Sequence, residues 1–206
     1  MKSKPELRQA FRALLKGGSE AALENASALQ ALNARLTRLL SRQSGCWAGF
    51  QPTGFEPDIR PAIKSLEKID WVYPRVEGEH ISFYRPHEQT SFSLSRWGIL
   101  EPEPSRADKV AMKELVGLVI PALAFDKKCN RLGRGRGYYD RALAEIESNN
   151  HVQPLKIGVA HDLQISEDEI AVESFDIPMD WVVTQSRLFG RESGPQSDVL
   201  SERKSS

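Results

Sequence analysis

The sequence predicts an α/β fold: a single three-layer domain with a central, mostly parallel sheet and helices on both faces. Three observations carry this. Apolar runs at 114–125, 155–161 and 180–185 have the composition of strands covered on both sides. Segments with helical spacing precede and separate them. The chain has 206 residues, 40% of them hydrophobic, which suits one sizeable core, and it shows no internal repeat or linker. The domain is expected over residues 1–189, with a polar, disordered tail over 190–206.

Each element has a local reason. Ser3 and Glu6 have capping-box spacing with Pro5 in the first turn, so a helix begins there. Leu7, Phe11, Leu14 and Leu15 form its apolar face, and Gly17-Gly18 end it. Residues 19–42 repeat leucine at 29, 32, 36, 39 and 40, a second helix closed by Gly45. "CWAGF" (46–50) reads as a short buried strand and "QPTGFEPD" (51–58) as a loop. Residues 59–67 form a helix, with Pro61 tolerated in its first turn. "DWVYPRV" (70–76) and "HISFYR" (80–85) are strands joined at Glu77-Gly78, and "WGILEPEPS" (97–105) is extended. Residues 114–125 make a central strand, 137–148 a helix, and 155–161 and 180–185 two more strands.

Bulk chemistry narrows the function. Lys and Arg number 28 and so do Asp and Glu, so no global field draws the chain to nucleic acid or to a membrane, and neither partner is expected. No apolar run approaches the ~20 residues of a bilayer span, and "MKSKPELRQAF" has no signal-peptide core. A cytoplasmic monomer acting on small molecules is the expectation. Cys46 and Cys129 stand far apart without CxxC spacing and read as reduced thiols. His80, His87, His151 and His161 are scattered without ligand spacing.

The informative stretch is "DKKCNRLGRGRGYYDRAL" (126–143), placed between an apolar strand and a helix. Ligands of open α/β sheets sit where strand C-termini meet helix N-termini. Gly133, Gly135 and Gly137 let the backbone approach an anion, and the helix start adds positive potential. From Lys127 to Arg141 there are six Lys or Arg against one acid, Asp140, which suits a polyphosphate. Tyr138 follows the last glycine, so this is not a Walker A loop, and GxGxG is not the dinucleotide GxGxxG. A single-copy Arg-Gly patch for RNA and a plain solvated turn remain as alternatives. Asp140 could cap the helix or hold Mg²⁺ against a phosphate. Seven acids lie between Asp162 and Asp180, and pattern alone does not choose among them.

These residues carry a resemblance. "PALAFDKKCNRLGRGRGYYDRAL" resembles the signature of the 5-formyltetrahydrofolate cyclo-ligase (methenyltetrahydrofolate synthetase) family. "KPELR" (4–8), "YPRVEG" (73–78), "WGILEPEP" (97–104) and "ESFDIPMDWVVT" (173–184) match in the same order, so the resemblance runs from about Lys4 to Thr184. It implies a fold related to the ribose-phosphate isomerase and CoA-transferase group. It also implies ATP- and Mg²⁺-dependent conversion of 5-formyltetrahydrofolate to 5,10-methenyltetrahydrofolate, with ADP and phosphate released. By motif, Lys4 and Arg8 would anchor ATP. Gly133, Arg134, Gly135, Arg136, Gly137, Tyr138, Tyr139, Asp140 and Arg141 would wrap its triphosphate, and Arg134 to Tyr138 would also face the folate. Asp140 and Asp176 would be the metal carboxylates, Glu56 would bind the pterin, and Phe50 would pack beside it. Family members commonly have glycine where Cys129 stands, and the 50–59 segment aligns loosely.

The implied chemistry needs no enzyme nucleophile, which suits a chain without a Ser/His/Asp or Cys/His constellation. It needs positioning and neutralised phosphate charge, which Arg134, Arg136 and Arg141 can supply through the guanidinium fork, with Arg134, Arg136 and Tyr138 as the catalytic candidates. Phe50, Trp97, Tyr138 and Tyr139 are candidate walls for a flat ring. A nucleotide- or phosphate-binding module without the reaction is the alternative, and an isomerase or CoA-transferase relative has no matching motif here.

Overall fold

The computed structural model describes residues 2–17, 25–88, 90–149 and 153–191. In chain order it runs through α1 (Lys4–Gly17), α2 (Ala26–Leu40), β1 (Gly45–Ala48), α3 (Arg60–Ser65), β2 (Ile69–Glu77), β3 (His80–Pro86), β4 (Phe92–Leu94) and β5 (Leu100–Pro102). It continues with β6 (Ala107–Val110), β7 (Leu115–Pro121), β8 (Ala124–Asp126), β9 (Arg131–Leu132), α4 (Tyr138–Asn149), β10 (Leu155–Val159), β11 (Ile165–Ser166), β12 (Trp181–Val183) and β13 (Leu188–Gly190).

The local signals at the first helix are realised directly. Glu6 accepts from the Ser3 amide at 2.7 Å and from the Ser3 hydroxyl at 2.8 Å, closing one side of the expected capping box. The second helix is capped by Asn25, whose Oδ1 accepts from the amides of Ser27 and Ala28. Its expected start near residue 19 falls in 18–24, outside the described residues.

The large sheet has the order β13-β12-β10-β7-β1-β2-β3-β6. Its centre, from β12 to β2, is parallel, as expected, and four of its seven pairings are parallel; both edges are antiparallel. The reason is chain length between strands: the tight turn after Glu77 returns β3 beside β2, whereas parallel neighbours need a crossover.

Strand alternation builds a core on each face. Cys46, Ala48, Leu118, Ile120 and Val182 point to one side, where Ala142, Leu143 and Ile146 of α4 pack. Trp47, Val119, Trp181 and Val183 point to the other, against leucines of α2 and Ala62 of α3. Helices therefore cover both faces. Buried Asn33 fastens α2 to this layer, donating to Leu29 O and Asp58 O at 2.8 Å each and accepting from the Ala62 amide at 2.9 Å.

One expected strand is two. The apolar run 114–125 forms β7 to Pro121 and then β8, which belongs to a separate small sheet, β11-β8-β9. Proline has no N–H to continue a ladder, and the Leu123 amide is taken by Leu132 O at 2.9 Å. This break turns the chain out of the large sheet immediately before the glycine-rich segment. There α1 docks, with Leu7, Phe11 and Leu15 buried against Leu123, Ala124, Leu132 and Ile170.

At the C-terminal side, β13 pairs Trp181 with Gly190, so ordered strand crosses the boundary expected at 189/190. The rest of the expected tail, from 192, lies outside the described residues. No helix among the described residues is long and apolar enough to cross a membrane.

Candidate active site

The glycine-rich loop is held from two sides. From α1, Arg8 Nε donates to Gly133 O at 3.1 Å and Arg12 Nη2 donates to Arg134 O at 2.9 Å. From α4, Arg141 donates to Glu79 O at 3.0 and 2.6 Å and to Arg136 O at 3.2 Å, tying the loop to the β2–β3 turn. Gly135 and Gly137 have φ of +98° and +69°, where a side chain is strained. A Cβ on Gly137 would also lie 2.8 Å from Arg141 Nη1. The loop therefore needs glycine at both positions for its backbone shape, and a side chain at 137 would also push the end of Arg141 aside.

Beside the loop is a cavity of about 240 Å³. The loop contributes Gly133, Arg134, Arg136 and Gly137, and α4 contributes Tyr138, Tyr139 and Asp140. Phe50 and Glu56 come from the segment after β1, Val76 and Ile81 from the β2–β3 hairpin, and Trp97, Ile99 and Glu101 from the β4–β5 ribbon. That ribbon lies on β2, with Phe92 edge-on to Tyr73 at 5.5 Å and Arg75 donating to Pro102 O at 3.0 Å. The Arg136 guanidinium stacks over the Trp97 ring at 3.4 Å, joining loop and ribbon.

Glu56 is a cavity-lining acid whose side chain is 10% exposed. Its Oε1 accepts from Arg134 Nη2 at 2.8 Å, and its Oε2 accepts from the Thr53 amide at 3.0 Å and the Thr53 hydroxyl at 3.2 Å. Burial pushes its pKa up, and these partners only partly oppose that. Asp140 is paired with Arg131, whose side chain is 6% exposed and lies 5.5 Å from the Tyr139 ring. Burial also pushes the Tyr139 hydroxyl upward, keeping it neutral.

Lys4 and Asp176 meet elsewhere. Lys4 Nζ donates to Asp176 and, at 2.8 Å, to Glu173, and Asp176 also accepts from the Glu173 amide at 2.6 Å. Burial works against the Lys4 ammonium, yet the bonds to these two carboxylates leave its pKa raised. Among the sequence-predicted site residues, Phe50, Glu56, Gly133, Arg134, Arg136, Gly137, Tyr138, Tyr139 and Asp140 line the cavity; Lys4, Arg8, Gly135, Arg141 and Asp176 do not. Arg8, Gly135 and Arg141 shape the loop from behind.

Among the described residues no three His, Cys, Asp or Glu side chains gather into a metal cage. Asp140 faces the Arg131 guanidinium and Asp176 the Lys4 ammonium. Either carboxylate alone is of a kind that suits Mg²⁺ delivered with a polyphosphate, since that ion takes one or two carboxylates and fills its shell with phosphate oxygens and water.

Arg12, Thr53, Arg131 and Glu101 are absent from the sequence-predicted site. Arg12 was legible as the third member of a Lys4, Arg8, Arg12 series at i, i+4 and i+8. Glu101 stands inside the quoted "WGILEPEP", but nothing local marks it as buried.

Residues 1–185 match the model of the 5-formyltetrahydrofolate cyclo-ligase family. The Escherichia coli (strain K12) protein named 5-formyltetrahydrofolate cyclo-ligase is 33% identical over 140 residues, 65% of this chain and 74% of that protein. The Mus musculus protein of the same name is 35% identical over 112 residues, 52% of this chain and 55% of that one. The NMR structure of Aquifex aeolicus 5,10-methenyltetrahydrofolate synthetase superposes with a TM-score of 0.71 at 27% identity, covering 97% of this chain and 98% of the other.

Proposed function

Because the chain belongs to the 5-formyltetrahydrofolate cyclo-ligase family, we propose that it closes 5-formyltetrahydrofolate to 5,10-methenyltetrahydrofolate at the expense of ATP. The observation that carries this reading is the shared cavity: the arginine-bearing glycine loop and half-buried Glu56 line one space and touch through Arg134. A polyphosphate site and a ring-sized slot are thereby adjacent.

In this reading the triphosphate lies along Gly133–Arg141, with Lys4 and Arg8 at the α1 end. Arg134 and Arg136 orient and neutralise the γ-phosphoryl group, which is most of what phosphoryl transfer asks of a protein. The pterin enters between Phe50 and Tyr138, and Glu56 accepts from the donor edge of its ring. The formyl oxygen attacks the γ-phosphorus and ADP leaves. N10 then attacks the activated carbon, and phosphate departs. Asp140 and Asp176 would hold Mg²⁺, which supplies further charge neutralisation on the phosphate oxygens. The Arg131 and Lys4 cations that now face these carboxylates would have to release them.

The test is the absorbance of methenyltetrahydrofolate after mixing purified protein with 5-formyltetrahydrofolate and Mg-ATP, with each component omitted in turn. A rise that needs all of them is expected. No rise from folded protein overturns the reading, and ATP titration then distinguishes a nucleotide-binding module from a protein without this site.

A further inference from the structure

Ring closure moves a proton, and the cavity wall holds a carboxylate that no step above uses. The N10 lone pair forms the new C–N bond to the phosphorylated formyl carbon, while the C=N5 π pair returns to N5. N10 is then positively charged and must lose its hydrogen. When the N5 lone pair re-forms C=N, the C–O bond breaks and its electrons leave with phosphate, which needs one proton to depart as hydrogenphosphate. The proton lost and the proton gained are one and the same in number, so one group can carry it.

The described lining residues include three carboxylates, Glu56, Asp140 and Glu101, and no histidine or lysine. Glu56 is engaged by Arg134 and Thr53, and Asp140 by Arg131. Glu101 is 3% exposed, and its nearest cation, Arg75 Nη1, is 3.9 Å away and already donating to Pro102 O. The Val76 backbone and the Ser95 side chain favour its charged form without neutralising it. Resting on the cyclo-ligase reading, we propose that Glu101 accepts the N10 proton and returns it to the departing phosphate.

Its surroundings suit a base. Burial raises its pKa, and the Val76 amide, Arg75 and Ser95 only partly oppose this. The charged groups that share the cavity with it are Arg131, Arg134, Arg136, Asp140 and Glu56, with Arg75 behind it on β2. A base near its operating range contributes about 10²–10⁴-fold.

Wild-type turnover is measured first; its absence defeats the cyclo-ligase reading itself and this proposal with it. Given turnover, Glu101→Gln is expected to lower kcat about 10²-fold or more, with KM for both substrates within about threefold of wild type. The acid limb of its kcat–pH profile should vanish, and Glu101→Asp should restore part of the rate with that limb present. Arg75→Met, which removes the nearby positive charge, should move the wild-type acid limb to higher pH. Wild-type kcat in Glu101→Gln, or a loss confined to KM, sinks the proposal while leaving the cyclo-ligase reading standing. If Glu101→Gln does not fold, judged by near-UV circular dichroism, the Arg75→Met profile decides: an unmoved limb overturns the assignment.

Discussion

Arg134 Nη2 donates to Glu56 Oε1 at 2.8 Å, so the glycine-rich loop and the 53–56 turn meet at one ion pair. Glu56 is thus held by the same arginine proposed to face the phosphate.

Replacing Glu56 by alanine removes both the proposed pterin acceptor and the partner of Arg134. The expected result is a KM for 5-formyltetrahydrofolate raised about tenfold or more, roughly 1.4 kcal/mol of binding, with a smaller change in KM for ATP. Steady-state kinetics with each substrate varied checks this. An unchanged folate KM removes Glu56 from the pterin site.

Asp140→Asn tests two roles of one carboxylate. As the Mg²⁺ ligand its loss should reduce turnover about 10²-fold or more, and added Mg²⁺ should recover little of it. As the partner of nearly buried Arg131 its loss should also lower the urea midpoint, by the equivalent of about 1–3 kcal/mol. Wild-type turnover by the folded variant would end the metal assignment.

Arg12→Ala should act through the loop backbone. Arg12 is exposed and donates to Arg134 O at 2.9 Å, so its loss should weaken ATP by about three- to tenfold, the worth of one such bond. Thermal stability should barely move. A change in folate KM with ATP KM unaltered would contradict this reading of α1.

Glu77, at the β2–β3 turn, gives a prediction independent of catalysis. Lys109 and then Tyr84, with help from Ser82, hold its carboxyl at about 2 against an ordinary value of 4.5. The unfolded chain therefore takes up this proton first as pH falls, so the stabilisation is present above pH 4.5 and is lost on descending toward pH 2. Glu77→Gln should lower Tm at pH 6, and the difference from wild type should shrink by pH 2.5. A difference that stays constant across this range would show that the Glu77 contacts are not electrostatic in origin.

What the sequence determined by itself is what depends on neighbours three or four residues away. The Ser3–Glu6 cap, the turn at Gly78, the start of α4 after Gly137 and the face alternation of the central strands follow from backbone geometry and short-range hydrogen bonding. The family motif likewise marked the glycine loop, Asp140 and Glu56 as one chemistry. Cys129 shows the limit of such signals: it occupies a positive φ of 67°, the conformation that favours glycine, and is buried with its thiol donating to Phe189 O. Tertiary structure alone decided that Arg12 reaches the loop and that Glu101 is buried in the cavity wall. Those facts depend on partners distant in sequence, such as Arg134 and Glu56 at a separation of 78 residues. Burial, which gives a carboxylate its chemistry, exists only once the layers have packed.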